Sequence, residues 1–174
     1  STEKIIKALA DEYSALHPGV EITYEGIGSS AGVKNAIDGV SDIGTASREI
    51  KEEEKASGLT EDVFAYDGIA VVVNPDNGVS DLTLDQITAI YNGEITNWQQ
   101  VGGKDAQIAV VSREEGSGTR SAFEEILGLE KITQNADIAE GNGNVQTTVA
   151  GNPNAIGYVS FTYIDETVKP VLVE

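Results

Sequence analysis

Apolar positions recur with two different periods along this 174-residue chain. In residues 2–16, Ile5, Ile6, Leu9, Tyr13 and Leu16 fall at helical spacing, which predicts an amphipathic helix. Residues 20–24 (VEITY) alternate every second position and predict a strand. The loop GIGSSAG follows, and the pattern of VKNAIDGV predicts a helix opening near Ser29. Residues 42–46 (DIGTA) read as a short buried strand and residues 48–56 as a charged helix. Residues 64–75 hold a nearly continuous apolar run, as expected of a strand buried on both faces. Residues 82–91 read as a helix ended by Asn92-Gly93, with Trp98 in the connecting loop beyond it. Residues 107–111 read as a strand running into SREEGSGT, and 120–127 continue as a helix. A short helix over 142–150 and strands at 156–160 and 168–173 complete the pattern. Strands alternating with helices predict an α/β fold with mainly parallel sheets.

Composition narrows the function classes. The formal net charge is -18, from 29 acidic and 11 basic residues, which argues against nucleic acid and anionic membrane as partners. A small anion also meets long-range repulsion, but screening over about 8 Å lets a local cluster of donors outweigh it. The chain has no cysteine, so disulfides, thiolate nucleophiles and thiolate metal sites are excluded. The single histidine, His17, precedes Pro18 and reads as a cation near a helix C-terminus; no metal and no cofactor are expected. No apolar run approaches the ~20 residues that span a bilayer. Any targeting segment is expected to have been removed ahead of Ser1.

Two strand–loop–helix junctions carry the candidate chemistry. The first, Gly26-Ile27-Gly28-Ser29-Ser30-Ala31-Gly32, combines glycines that permit close backbone approach with the hydroxyls of Ser29 and Ser30. A helix start adds free N–H groups and about half a positive charge, which suits an anion. The second, residues 112–120 (SREEGSGTR), repeats the design and adds Arg113, whose guanidinium can grip an oxyanion with two bonds. Ser117, Gly118 and Thr119 supply hydroxyl and backbone donors there. Each loop alone is equally a serine-capped helix; two of them in one chain point to a shared anion. A further serine, Ser47, follows the DIGTA segment, beside Arg48.

GIGSSAG, DIG-x-ASR at 42–48, AYDGIAVVVNP at 65–75, ITNW at 95–98, VSREEGSGTR at 111–120 and AIGYVS at 155–160 together resemble the substrate-binding protein of phosphate ABC transporters. The likeness runs in order over nearly the whole chain. It implies a two-lobed type II periplasmic-binding-protein fold, here without the family's first strand and C-terminal segment. The first lobe would comprise residues 1–68, the second 69–165, and residues 166–174 would return toward the first. The hinge strand would begin near Gly68, with its return near Val168. Carried over motif by motif, phosphate contacts fall on Ser29, Ser47, Arg113, Ser117, Gly118 and Thr119, with Ser1 at the end of the family's first ligand loop. The implied protein performs no catalysis. It is exported, periplasmic or lipid-anchored at the outer face of the cell membrane, and it delivers inorganic phosphate to a membrane permease.

Some family members carry an aspartate where this chain has Ser47. Monohydrogen phosphate has a proton that sulfate lacks, and a buried carboxylate can accept it. The candidates are Asp67 and Glu115: Asp67 is expected to accept the ligand proton, and Glu115 to pair with Arg113 and orient it. Two enzymatic alternatives stand beside this reading. The 26–31 loop fits G-x-G-x-x-A, a weak nucleotide-binding signature. Ser117 could be a nucleophile, although Gly116-Ser117-Gly118 lacks the G-x-S-x-G spacing and no base is paired with it.

Overall fold

The computed structural model describes residues 2–174. Its centre is a five-stranded mixed sheet in the order β4-β3-β5-β1-β6. These strands are β1 (Ile69–Val73), β3 (Ala109–Arg113), β4 (Asp137–Ala139), β5 (Ala155–Ser160) and β6 (Lys169–Pro170). β3 runs parallel to β4 and to β5, whereas β1 pairs antiparallel with β5, from Ile69↔Ser160 to Val73↔Ile156. The expected mainly parallel sheet is therefore a mixed one.

The sheet's two faces follow the period-2 alternation of its strands. Ala70, Val72, Val111 and Val159 pack on one face with Val145 and Val149 of helix α6 (Gly141–Gly151). Val71, Val73, Ile156 and Tyr158 pack on the other, under α4 (Leu84–Asn92) and α5 (Gly118–Leu127). There Phe123 stacks on Tyr158 with centroids 3.9 Å apart, and Tyr91 meets Phe123 edge-on at 4.8 Å. Trp98, in a short 3-10 turn, is fully buried and donates from its indole N–H to the Asn154 carbonyl at 2.9 Å. Burying that ring costs little because its one polar atom is satisfied.

The residues before the sheet form α1 (Glu3–Leu16), α2 (Ser29–Ile37) and the single turn α3 (Glu52–Lys55). The strands expected at 20–24 and 42–46 are irregular, and Val20, Ile22 and Ile43 are exposed. A strand is defined by its ladder partners, and propensity without a paired neighbour does not make one. The helix expected over 48–56 shrinks to α3, where the Glu54 carboxylate accepts from the Lys51 N–H at the turn's start. No described helix is long and apolar enough to cross a membrane.

Residues 166–174, expected to return toward residues 1–68, lie along the central sheet instead. β6 pairs with Val72 and Val73 of β1, and β7 (Leu172–Val173) pairs in parallel with β2 (Asp81–Leu82). Val168 and Val171 are buried in the two clusters flanking the sheet, and that burial draws the tail onto it. Strands β2 and β4 have two and three residues and left too short a pattern to be read in advance.

The packing of α6 on β5 depends on the absence of a side chain at Gly157. A Cβ there would lie 2.8 Å from both Val145 Cγ1 and Val149 Cγ2. Gly157→Ala is expected to destabilise the chain by about 1–3 kcal/mol, the usual range for overpacking. A lower guanidinium midpoint with an unchanged m-value would register it.

Candidate functional site

Two helix starts meet at the carboxyl end of β3. Helix α5 opens at Gly118, capped by Ser117, whose Oγ accepts from the Arg120 N–H at 3.2 Å. Helix α2 opens at Ser29 after Gly28, whose φ of 86° suits a residue without a side chain. The two come so close that a Cβ on Gly118 would sit 2.2 Å from Ser29 Oγ and 3.0 Å from Ser47 N. Ser47 N donates to Ser29 Oγ at 2.9 Å, and Ser30 N donates to the Gly116 carbonyl at 3.2 Å. Ser29 and Ser117 each accept through their oxygen in these bonds, so each hydroxyl proton is left to donate elsewhere. Both serines are buried, as is Thr119.

Arg113 ends β3 and is 5% exposed. Its Nε and Nη2 donate to the Glu114 carboxylate at 2.8 and 2.7 Å, and Nη1 reaches Thr119 Oγ1 at 3.4 Å. Its backbone is held as well: Arg113 N donates to the Tyr158 hydroxyl at 3.1 Å, and its carbonyl accepts from Arg120 Nη1 at 3.1 Å. Glu114 accepts in turn from Gly141 N, at the start of α6, at 3.1 Å. Burial pushes the Glu114 carboxyl up, but the Arg113 guanidinium and the backbone N–H groups of Glu114 and Gly141 together outweigh it and hold it below the ordinary carboxylate range. The orienting carboxylate is thus Glu114 and not Glu115, which is exposed. The α6 start offers an N–H where Glu114 lies, a partner that sequence spacing does not reveal.

Next to Ser47, Arg48 forms a two-bond pair with Glu54: Nη1 to Oε2 and Nη2 to Oε1, both 2.8 Å. Arg48 Nη1 also donates to the Glu49 carbonyl at 2.9 Å, and Nη2 lies 3.5 Å from Ser30 Oγ. The Arg48 guanidinium lowers the Glu54 carboxyl from 4.5 to about 2.

Ser29, Ser30, Ser47, Ser117 and Gly118 therefore line one seam, with Arg113 and Thr119 joined at its α5 side. Ser1 lies outside the described residues. Asp67 is exposed and has no hydrogen bond to the seam among the described residues, which leaves the acceptor role expected of it without geometric support. Glu114, Arg48 and Glu54 escaped the sequence reading as site residues; the Arg-Glu-Glu run and the Ser-Arg pair were their only signals. The nucleotide alternative finds no support at the 26–31 loop. Gly116 O already takes the α2 N–H of Ser30, and a Cβ on Gly28 would stand 3.3 Å from that oxygen. Ser117 acts as a helix cap, and His17 lies against Tyr13 with the rings tilted by 31° and their centroids 4.2 Å apart, at the C-terminal end of α1.

A PBP superfamily domain model matches residues 1–171. The fold superposes with a TM-score of 0.96 and 53% identity on the crystal structure of a phosphate ABC transporter substrate-binding protein from Clostridium perfringens with bound phosphate, covering 99% of this chain and 72% of that one. An ABC-type phosphate transport receptor from Vibrio cholerae matches with a TM-score of 0.80 and 40% identity, over 98% of this chain and 72% of that one. The phosphate-binding protein PstS of Borreliella burgdorferi is 30% identical over 95% of this chain and 62% of its own length. The chain spans little more than half the length of the curated relatives it matches.

The Arg48–Glu54 pair sets a pH dependence. A folded carboxyl depressed from 4.5 to about 2 stabilises fully above pH 4.5 and loses its contribution as pH falls toward 2. The stability difference between wild type and Glu54→Gln is expected to be constant above about pH 5 and to narrow below 4.5. Urea unfolding at stepped pH would show this, and a gap undiminished at about pH 2.5 would contradict it.

Proposed function

This chain belongs to the PBP superfamily, in the family of phosphate ABC transporter substrate-binding proteins, and we propose that it holds inorganic phosphate in the seam between the α2 and α5 starts. The observation that carries the reading is the convergence of Ser29, Ser47 and Gly118, with Arg113 joined through Thr119. A tetrahedral oxyanion needs donors from several directions. Two helix starts, the hydroxyls of Ser29, Ser30, Ser47 and Ser117, and one guanidinium supply them without any chemistry on the ligand.

The close approach of the two backbones at Gly118 and Gly28 favours a compact oxyanion over a bulky ligand. Net charge of -18 weakens long-range capture, but hydrogen bonds to a charged ligand contribute about 1.5–3 kcal/mol each and act only at contact. A ligand that touches both lobes favours the closed arrangement by its differential affinity. In the proposed role, the exported protein presents the closed, loaded form to a membrane permease and releases phosphate there.

Calorimetric titration tests the reading. One phosphate per chain is expected, at a Kd below about 1 mM, with sulfate titrated as the control anion. A flat titration at millimolar phosphate bounds binding to weaker than about -4 kcal/mol and would sink it. Arg113→Lys keeps the charge but loses the planar fork, and a loss of about tenfold or more is expected. Gly118→Ala is the sharper variant. Alanine suits the first turn of α5 better than glycine, so the helix itself does not suffer. Its methyl would collide with Ser29 Oγ and with the Ser47 backbone, so a loss of affinity of about a hundredfold is expected together with a lower melting temperature. Unchanged affinity in Gly118→Ala would mean that phosphate does not bind in this seam.

A further inference from the structure

We propose that the Arg48–Glu54 pair is a positioning device, which sets Ser47 and Ser30 against the α5 start without touching the ligand itself. The inference rests on the phosphate reading and extends it to Arg48, which closes the DIG-x-ASR run, and to Glu54, which lies outside the family motifs.

Arg48 follows Ser47 directly, and its guanidinium reaches across to Ser30 Oγ at 3.5 Å. It is therefore tied to the segment bearing Ser47 and approaches the helix start bearing Ser29 and Ser30. Glu54 closes the arrangement with two 2.8 Å bonds to the guanidinium and a third, also 2.8 Å, from Lys51 N. The side chains are 6% and 15% exposed, so this is a pair largely withdrawn from water. Desolvation offsets most of the attraction in such pairs, which makes them weak sources of net stability. Arg48 Nε is moreover buried without a partner, an arrangement that costs stability. Two parallel N–H···O bonds do, however, fix a planar guanidinium in orientation. The main physical consequence of the pair is thus geometric.

That geometry matters because the surroundings supply little of it. Residues 42–51 carry no regular structure, and the apolar residues Ile43 and Ile50 of this stretch are not buried. Across an open pocket of about 300 Å³, Arg48 and Lys51 face Ser121 and Glu125 of α5. The segment therefore borders α5 beside the seam. With Glu54 neutralising Arg48, the pair adds no net charge to the anion site, and only its shape is left to act.

Calorimetry with inorganic phosphate on wild type, Glu54→Gln and Arg48→Lys tests this, with melting temperatures measured alongside. Glu54→Gln removes a negative charge near an anion site. A purely electrostatic role predicts tighter binding, and a purely structural role predicts a lower melting temperature with affinity intact. Positioning predicts binding about tenfold weaker in both variants, well below their melting temperatures. It also predicts coupling: adding Ser47→Ala to Glu54→Gln should cost less than the sum of the two single losses. Equal or tighter binding by Glu54→Gln, or additive losses, would overturn the proposal. Should Glu54→Gln fail to fold, Glu54→Asp keeps the charge but shortens the reach by one methylene, and wild-type affinity in it would overturn the proposal equally. Wild-type protein that takes up no phosphate would sink the phosphate reading, and this inference with it. Wild-type binding with indifferent variants would sink this inference alone.

Discussion

Two helix N-termini can face each other only if something separates their positive ends and nothing fills the space between them. At the α2–α5 seam the second condition falls to Gly118, whose missing Cβ lets Ser29 Oγ and the Ser47 backbone approach. The first is met in part by the Gly116 carbonyl, which takes one α2 N–H. Each helix start carries about half a positive charge, so two of them side by side repel until an acceptor or anion lies between them. On the proposed reading, affinity for an anion and closure of the seam are the same quantity seen from two directions.

The acidic exterior does not contradict an anion site. Net charge acts over a screened distance, whereas the seam presents backbone N–H groups, hydroxyls and Arg113 at contact range. Arg113 is itself mostly neutralised by Glu114, which in turn leans on the α6 start through Gly141. What survives of the guanidinium is direction more than charge. The same holds for Arg48 and Glu54 on the other side. Both arginines of the site are thus fixed by carboxylates.

The two halves of the molecule support the seam by different means. Behind Arg113 and Thr119 stands a packed sheet, with Val111 and Tyr158 fully buried and the Tyr158 hydroxyl bonded to Ser112 and to Arg113 N. Behind Ser29 and Ser47 there is little comparable. Among the described residues before 69, only Ala10 and Val33 belong to the buried apolar set. Leu9, Tyr13, Leu16, Val20 and Ile22 are exposed instead. The first half of the site therefore depends on local bonds: Ser47 to Ser29, and Arg48 to Glu54.

Local pattern alone settled the elements whose stabilisation is local. Helix α1, the α2 opening at Ser29, the Gly93 stop after α4 and the buried runs of β1 and β5 were legible because spacing, capping and hydrophobicity act within a few residues. The seam's principal residues were legible for a related reason: glycine and serine at a helix start have the same consequence wherever the chain places them. Tertiary structure decided everything that needs a distant partner. It left 20–24 and 42–46 without ladders, drew 166–174 onto β1 and β2, and turned β1 antiparallel to β5. It chose Glu114 over Glu115 because the N–H of Gly141, 27 residues away, waits beside the former. Residue types and their order set what each segment can offer, but a hydrogen bond or a ladder needs two ends, and only the folded chain brings the second.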